Sequence, residues 1–260
     1  MTRRAAGGLD HVVVNAMRAM EPAAAIFAGL GFQLTPLGRH SLGSINHLMM
    51  TSGAYLELVG VPQEGKQRQE VLESPSGLSG LVFATGDADR EADRLRAAGL
   101  EPSEPVAFSR PVEVDGETPE ARFRTVRVPG RLFPAGRVYV CEHLTPELVW
   151  REEWLSHPNG FCRIDRIEVG STAPDEDAAR YAVAAGVAAE GRRVPLDDFA
   201  IDVVPDDRAR FRSLGLRFET LAVIREKALA LPGAEWSDSA DGVALLEIPK
   251  FGLRIECRAA

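Results

Sequence analysis

The 260-residue chain is 45% hydrophobic and 26% charged, a balance that fits a soluble globular protein of one large domain or two small ones and excludes extended disorder. A formal charge of −8 and a pI near 5.3 leave no basic footprint for phosphates, which excludes nucleic acid and anionic membrane as partners. A small-molecule ligand is expected instead, with a homodimer left open.

Three separated cysteines, Cys141, Cys162 and Cys257, form no CxxC pair and an odd set, which argues against a disulfide framework and a cysteine zinc cluster. The opening "MTRRAAGG" and the polar stretch after it do not make a secretion signal, and no run approaches the roughly 18 apolar residues of a membrane helix. A cytoplasmic protein is expected.

In chain order, "LDHVVV" (9–14) reads as a strand and the alanine-rich stretch 22–30 as a helix stopped at Gly31. "SINHLMM" (44–50) and "AYLELVG" (54–60) read as strands joined by "TSG", with one more short strand expected over 32–35. After a polar connector (63–77) the order recurs: strand 80–85, helix 87–100 opened by Asp87 and Asp89 and closed at Gly99, then strands 121–128 and 136–144. A third copy runs through strand 162–171, helix 175–186 and strand 197–204. A fourth runs through strand 216–223, helix 224–231 and strands 242–248 and 252–258. One such sheet cannot bury its apolar face alone, so the repetition predicts units in pairs. Pro158, Asn159 and Gly160 mark the boundary between residues 8–160 and 161–260.

The segments "LDHVVV", "LGFQLTPLGRH", "NHLMM", "YLELVGVP", "FSRPVE" and "HLTPELVWREEWLSHPNG" together resemble the glyoxalase-like domain family of the vicinal oxygen chelate (glyoxalase/bleomycin resistance/dioxygenase) superfamily. Residues 161–260 resemble it in element order only. The resemblance implies an α+β fold of repeated βαβββ modules, paired into two half-barrel glyoxalase-like bodies around a ligand cleft. It also implies a divalent metal held by His and Glu on the first and last strands of the modules. His11 and Glu57 match those positions, whereas the second module offers only Leu81 or Phe83 on its first strand, which leaves the shell incomplete.

Alternation puts Leu9, His11 and Val13 on one face and Tyr55, Glu57 and Val59 on one face, so His11 and Glu57 can meet. An imidazole and a carboxylate suit Zn, Mn, Ni or Fe(II), although a hydrogen-bonded core pair without metal is the alternative. Glu142 and His143 are adjacent and only one can face the cleft, as a second catalytic carboxylate beside Glu57 or as a further metal ligand beside His11 and Glu57. His47, His40 and Asn46 are substrate-contact candidates. Arg110, Arg122 and Arg124 are candidates for gripping a substrate anion, and Trp150 for a lid or a packing role. In the C-terminal half Arg166 falls where His11 stands and Glu256 where Glu57 stands, which suggests a structural role for that half.

No GxSxG, P-loop or GxGxxG element is present, which sets aside hydrolase, nucleotidase and Rossmann chemistry. Two functions remain open. One is an enzyme of lyase or isomerase type, acting on a hydroxycarbonyl or dicarbonyl metabolite by metal-assisted enolisation. The other is a metal-free binding or sequestering protein of the same fold.

Overall fold

A computed structural model of the protein describes residues 8–239 and 241–260; the basic opening residues 1–7 lie outside the described residues. The N-terminal half contains β1 (Leu9–Met17), α1 (Met20–Gly29), β2 (Gly38–Arg39), β3 (Ile45–Met49), β4 (Tyr55–Gly60), α2 (Gln69–Leu72), β5 (Gly77–Thr85), α3 (Ala88–Ala97), β6 (Val106–Pro111), β7 (Glu120–Arg127) and β8 (Arg137–His143). The C-terminal half adds β9 (Phe161–Ser171), α4 (Pro174–Ala185), β10 (Arg193–Pro195), β11 (Ala200–Pro205), β12 (Arg210–Phe218), α5 (Ala222–Ala230), β13 (Glu235–Asp238), β14 (Ala244–Ile248) and β15 (Leu253–Ala259).

Two sheets result, an eight-stranded one ordered β2-β3-β4-β1-β5-β8-β7-β6 and a seven-stranded one ordered β10-β11-β9-β12-β15-β14-β13. Each is built from two units around a central antiparallel pair, β1 with β5 and β9 with β12, flanked by strands that run parallel to them. This is the α+β architecture of paired modules in two bodies.

Period-two patterning divides the first sheet. Val12, Val14, Leu56, Leu58, Leu81 and Phe83 face α1 and α3, in a buried cluster that continues into the second body through Phe161, Phe218 and Tyr181. Each such side chain contributes about 1.5–3 kcal/mol on full burial. The opposite, concave face carries a separate layer with Val13, Leu48, Tyr55, Val82, Phe123 and Trp150.

The short strand expected over 32–35 is absent, and β2 lies at Gly38–Arg39. The apolar signal there comes from Phe32, whose ring packs against Phe27, Phe161 and Phe218 where the bodies meet. In the fourth unit the strand ends at Phe218 and α5 starts at Ala222, so residues 219–221 break what the sequence reads as one strand. β6, β10 and β13, which the pattern does not predict, all pair through one neighbour only, at or beside a sheet edge, where apolar alternation is weak.

The junction is stapled by side chains. His157 accepts at Nδ1 from Gln33 N (2.9 Å) and donates from Nε2 to Met50 O (2.7 Å), while Asn159 donates to Leu30 O (3.0 Å). Gly77, at φ +82°, brings the backbone so close to the second body that a Cβ would lie 2.2 Å from Phe251 O. Among the described residues no helix is long and apolar enough to cross a membrane.

Candidate active site

The site begins with an irregularity in β1. Leu9 pairs with Phe83 and His11 with Val82, so Asp10 is an extra residue opposite β5, a β-bulge. This corrects simple alternation: Leu9 joins the helix-side core, and Asp10 and His11 turn together to the concave face. Parallel pairing of β1 with β4 then sets His11 beside Tyr55 and Val13 beside Glu57.

The side chains form a chain of contacts. Asp10 Oδ2 accepts from His11 Nδ1 (2.6 Å) and from His143 Nε2 (3.1 Å). His11 Nε2 lies 3.3 Å from the Tyr139 hydroxyl and 3.6 Å from Glu57 Oε2. Asn46 Nδ2 donates to Glu57 Oε1 (2.7 Å), and the Tyr55 ring stacks on His11 at 4.6 Å. An imidazole that gives its Nδ1 proton to a buried carboxylate presents Nε2 as a base or ligand, oriented as in an Asp-His pair.

Burial raises the carboxyls of both acids, yet in each case the neighbours outweigh it. The His143 and His11 imidazoles hold Asp10 far below the usual carboxylate range, and His11, His40 and the Asn46 hydrogen bond hold Glu57 below its ordinary value. Both are therefore anions at neutral pH. Burial pushes His40 down to about 4, with Glu57 opposing and Arg110 assisting, and pushes the Tyr55, Tyr139 and Cys141 groups up.

His11, Asn46, Tyr55, Glu57, Tyr139 and Cys141 surround a cavity of about 30 Å³, also lined by His40, Arg68, Phe108, Arg110, Thr125 and Arg137. That is room for a water molecule or two. Arg68, Arg137 and Tyr139 form its partition from an outer pocket of about 510 Å³. Nη2 of Arg110, Nε and Nη2 of Arg137, and Oγ1 of Thr125 are buried without a hydrogen-bond partner among the described residues.

Of the residues expected at the site, His11, Glu57, Asn46, His40 and Arg110 come together at this cavity. His143 faces the same concave side but reaches Asp10 rather than the His11–Glu57 pair, so it is not their co-ligand. Trp150 packs against His143 and Tyr55 and donates to Gly53 O, in the apolar layer beside the cavity.

Three expected residues lie elsewhere. Glu142 points to the outer face of β8, where its carboxylate accepts from Ala88 N (3.2 Å) at the start of α3, so it is not a second carboxylate for the cleft. Arg124 is on the outer face of β7 and grips Asp89 with two hydrogen bonds (2.8 and 2.7 Å). His47 is on the helix side of β3 with its Nδ1 on Thr35 O (2.7 Å). The place opposite His11 on the second module is held by Val82, not Leu81 or Phe83, which are in the helix-side core. In the second body Arg166 does stand at the His11 position, but its parallel neighbour strand puts Asp202, not Glu256, at the Glu57 position. Glu256 matches Tyr139.

Sequence reading misses Asp10, Tyr139, Arg68 and Arg137. The first and last strands of the second module carried the signal for Tyr139 and Arg137, since Val82 pairs with Tyr139 as His11 pairs with Tyr55.

That same register tests the implied metal. Two residues beyond these pairs stand Glu57 and Cys141, so the four corresponding positions hold His11, Glu57, Val82 and Cys141. A valine donates nothing, burial keeps the Cys141 thiol protonated, and the Arg110 guanidinium shares the cavity; a four-ligand metal shell does not fit there. Among the described residues the group that brings three potential ligand atoms within 4.8 Å of one another is Asp10, Cys141 and His143, a possible metal-ligand set beside the cavity.

A family model for the glyoxalase-like domain matches residues 9–184. A search of curated proteins returned no match. Among solved structures, a hypothetical protein from Staphylococcus aureus aligns with TM-score 0.68 at 12% identity, covering 97% of this chain and 99% of that one. A mutant of 4-hydroxymandelate synthase from Streptomyces coelicolor aligns with TM-score 0.55 at 14% identity, covering 97% and 92%. A xylose isomerase-like TIM barrel/4-hydroxyphenylpyruvate dioxygenase fusion protein aligns with TM-score 0.59 at 12% identity, covering 100% of this chain and 50% of that one. At these identities the likeness is one of fold. With the family model spanning both modules of the first body, the chain belongs to the glyoxalase-like domain family.

Proposed function

We propose that the protein is an enzyme of lyase or isomerase type that moves a proton on a small oxygenated metabolite, a hydroxycarbonyl or dicarbonyl compound, in the cavity of its first body. The observation that carries this reading is the Asp10–His11–Glu57 line, with His11 Nε2 aimed at the cavity. His11 Nε2 takes a proton from the carbon next to a carbonyl; the C–H electron pair moves into the carbonyl as an enolate, and the proton rests on the imidazole. Asp10 orients the ring and stabilises the imidazolium. Return of the proton to a different atom, or loss of a leaving group, completes an isomerisation or an elimination. Glu57 and the Tyr139 hydroxyl stand within reach of Nε2 as relay groups.

A second reading, binding without turnover, is favoured by Val82 and Cys141 at the places where further ligands are needed. Deuterium incorporation from D2O into a panel of hydroxycarbonyl and dicarbonyl compounds separates the two. The enzyme reading expects exchange into at least one compound, reduced a hundredfold or more in His11→Ala. Saturable binding with no exchange into any compound selects the binding protein.

A further inference from the structure

Arg110, near the end of β6, is 3% exposed, and its Nη2 has no hydrogen-bond partner among the described residues. Arg137, at the start of β8, buries Nε and Nη2 in the same condition. A buried guanidinium without an anion is costly, and its planar fork matches a carboxylate. The cavity these two share is lined by three guanidiniums, those of Arg68, Arg110 and Arg137, against one carboxylate, Glu57. Arg68 is already engaged by Glu70 (2.8 Å) and Glu57 by Asn46 (2.7 Å). What remains unanswered is cationic: two forked donors and the Thr125 hydroxyl.

Buried guanidinium nitrogens without a hydrogen-bond partner among the described residues occur in the second body as well, at Arg166 Nε and Arg258 Nη1, but both of those side chains are ion-paired. At the matching place in the second body, Arg166 is answered within the chain by Glu256 (3.2 Å), Asp202 (3.3 Å) and Glu168 (3.5 Å). The first body withholds such partners from Arg110 and Arg137.

We propose that the cavity is a carboxylate site, in which Arg110 and Arg137 hold the planar carboxylate of the ligand while the rest of the molecule passes the Arg68–Tyr139 partition into the outer pocket. This deepens the proton-transfer reading and rests on it for the role of His11: the substrate is a carboxylate-bearing compound, and the two guanidiniums take up the charge that deprotonation spreads over its oxygens. The size of the two spaces supports the arrangement, since about 30 Å³ admits little beyond the head of a ligand whereas about 510 Å³ admits a body.

The test uses oxalate, a small planar dicarboxylate, with the full chain after dialysis against a chelator. Binding is followed by thermal shift and calorimetry, with inorganic phosphate as the tetrahedral comparison. The wild-type protein is expected to bind oxalate saturably and more tightly than phosphate. Arg110→Met is expected to weaken oxalate at least tenfold while melting no lower than wild type in the absence of ligand, and Arg110→Lys to fall between because it keeps the charge but loses the fork. Equal oxalate affinity in wild type and Arg110→Met, no oxalate binding in the wild type, or tighter phosphate binding overturns the proposal. Because Arg110→Met leaves Asp10, His11 and Glu57 in place, the outcomes separate. Deuterium exchange without Arg110-dependent oxalate binding ends this proposal alone, and oxalate binding without exchange into any compound ends the enzyme reading and leaves the site.

Discussion

The two bodies of this protein share a frame and treat charge in opposite ways. Each has a bulge at an aspartate before the central residue of its first strand: Asp10 ahead of His11, and Asp165 ahead of Arg166. In the first body the bulged carboxylate collects two imidazoles, and the cavity keeps guanidinium nitrogens without a hydrogen-bond partner among the described residues. In the second, Asp165 pairs with Arg217 (2.6 Å), and Arg166, Asp202, Glu168, Glu256 and Arg258 are linked into one network at the sheet face. Unpartnered nitrogens occur in both bodies, at Arg166 Nε and Arg258 Nη1 in the second, so what sets the first apart is that Arg110 and Arg137 form no ion pair among the described residues whereas Arg166 and Arg258 do. A duplicated scaffold thus supplies its own control.

The sharpest way to break that comparison is to remove the two aspartates. Asp10 is 1% exposed and is the shared hydrogen-bond acceptor of two imidazoles, so Asp10→Ala, which leaves both without that partner, is expected to cost about 3–5 kcal/mol, whereas Asp165→Ala, whose partner Arg217 is partly in water, costs about 1 kcal/mol. Urea denaturation midpoints measure both. Equal losses would mean that the two bulges do the same structural job.

Next in size are the arginines, where the expected signs differ. Arg166→Met leaves three carboxylates facing one another and is expected to destabilise by about 1–3 kcal/mol. Arg110→Met removes an unanswered buried charge and is expected to stabilise by about 1–2 kcal/mol. Destabilisation in both would show that Arg110 serves the fold.

How much of this was legible in the sequence follows from which rule governs each residue. Strands and helices with buried, regular faces, such as β4 and α3, are readable because period and caps agree; Asp87 does accept from Arg90 N at the start of α3. His11 and Glu57 were readable because parallel strands with even alternation bring them together. Asp10 was not, because a bulge changes the face of one residue and leaves no mark on the pattern. Glu142 and His143 could not be ranked while the register was open; one residue decides which faces the cleft. Arg137 and Arg68 reach the cavity only through the curl of the sheet and a 16-residue connector between β4 and β5, which are long-range facts.

A pH-dependent effect also separates the bodies. Residues 161–260 contain no histidine, so any loss of stability through imidazole titration belongs to the first body and its junction. His40, held at about 4 when folded by burial, takes a proton in the unfolded chain near 6.5. The unfolded state then binds more protons between those values, and stability falls as pH drops from 6.5 to 4; His157, also lowered by burial, adds the same sign. His40→Asn is expected to flatten that slope by up to about 3 kcal/mol across the window, read from urea midpoints at successive pH values. The low folded pKa of Asp10 acts further down, with stability lost as pH falls below about 4.

The smallest expected effect sits on the same sheet as the site but on its other face. Arg124 grips Asp89 with two good hydrogen bonds, a geometry that elsewhere signals recognition of a carboxylate. Asp89 is in water, Arg124 is partly so, and the further contact of Arg124 with Glu142 is long at 3.5 Å, so side-chain ordering and screening offset the attraction. Arg124→Ala is therefore expected to leave the urea midpoint and oxalate affinity unchanged within error, although Arg124 and Thr125 are neighbours on β7 and only one of them lines the cavity. A changed oxalate affinity would show that charge on the outer face is felt through the sheet, and the contrast between the bodies would then rest on their surfaces as well as on their clefts.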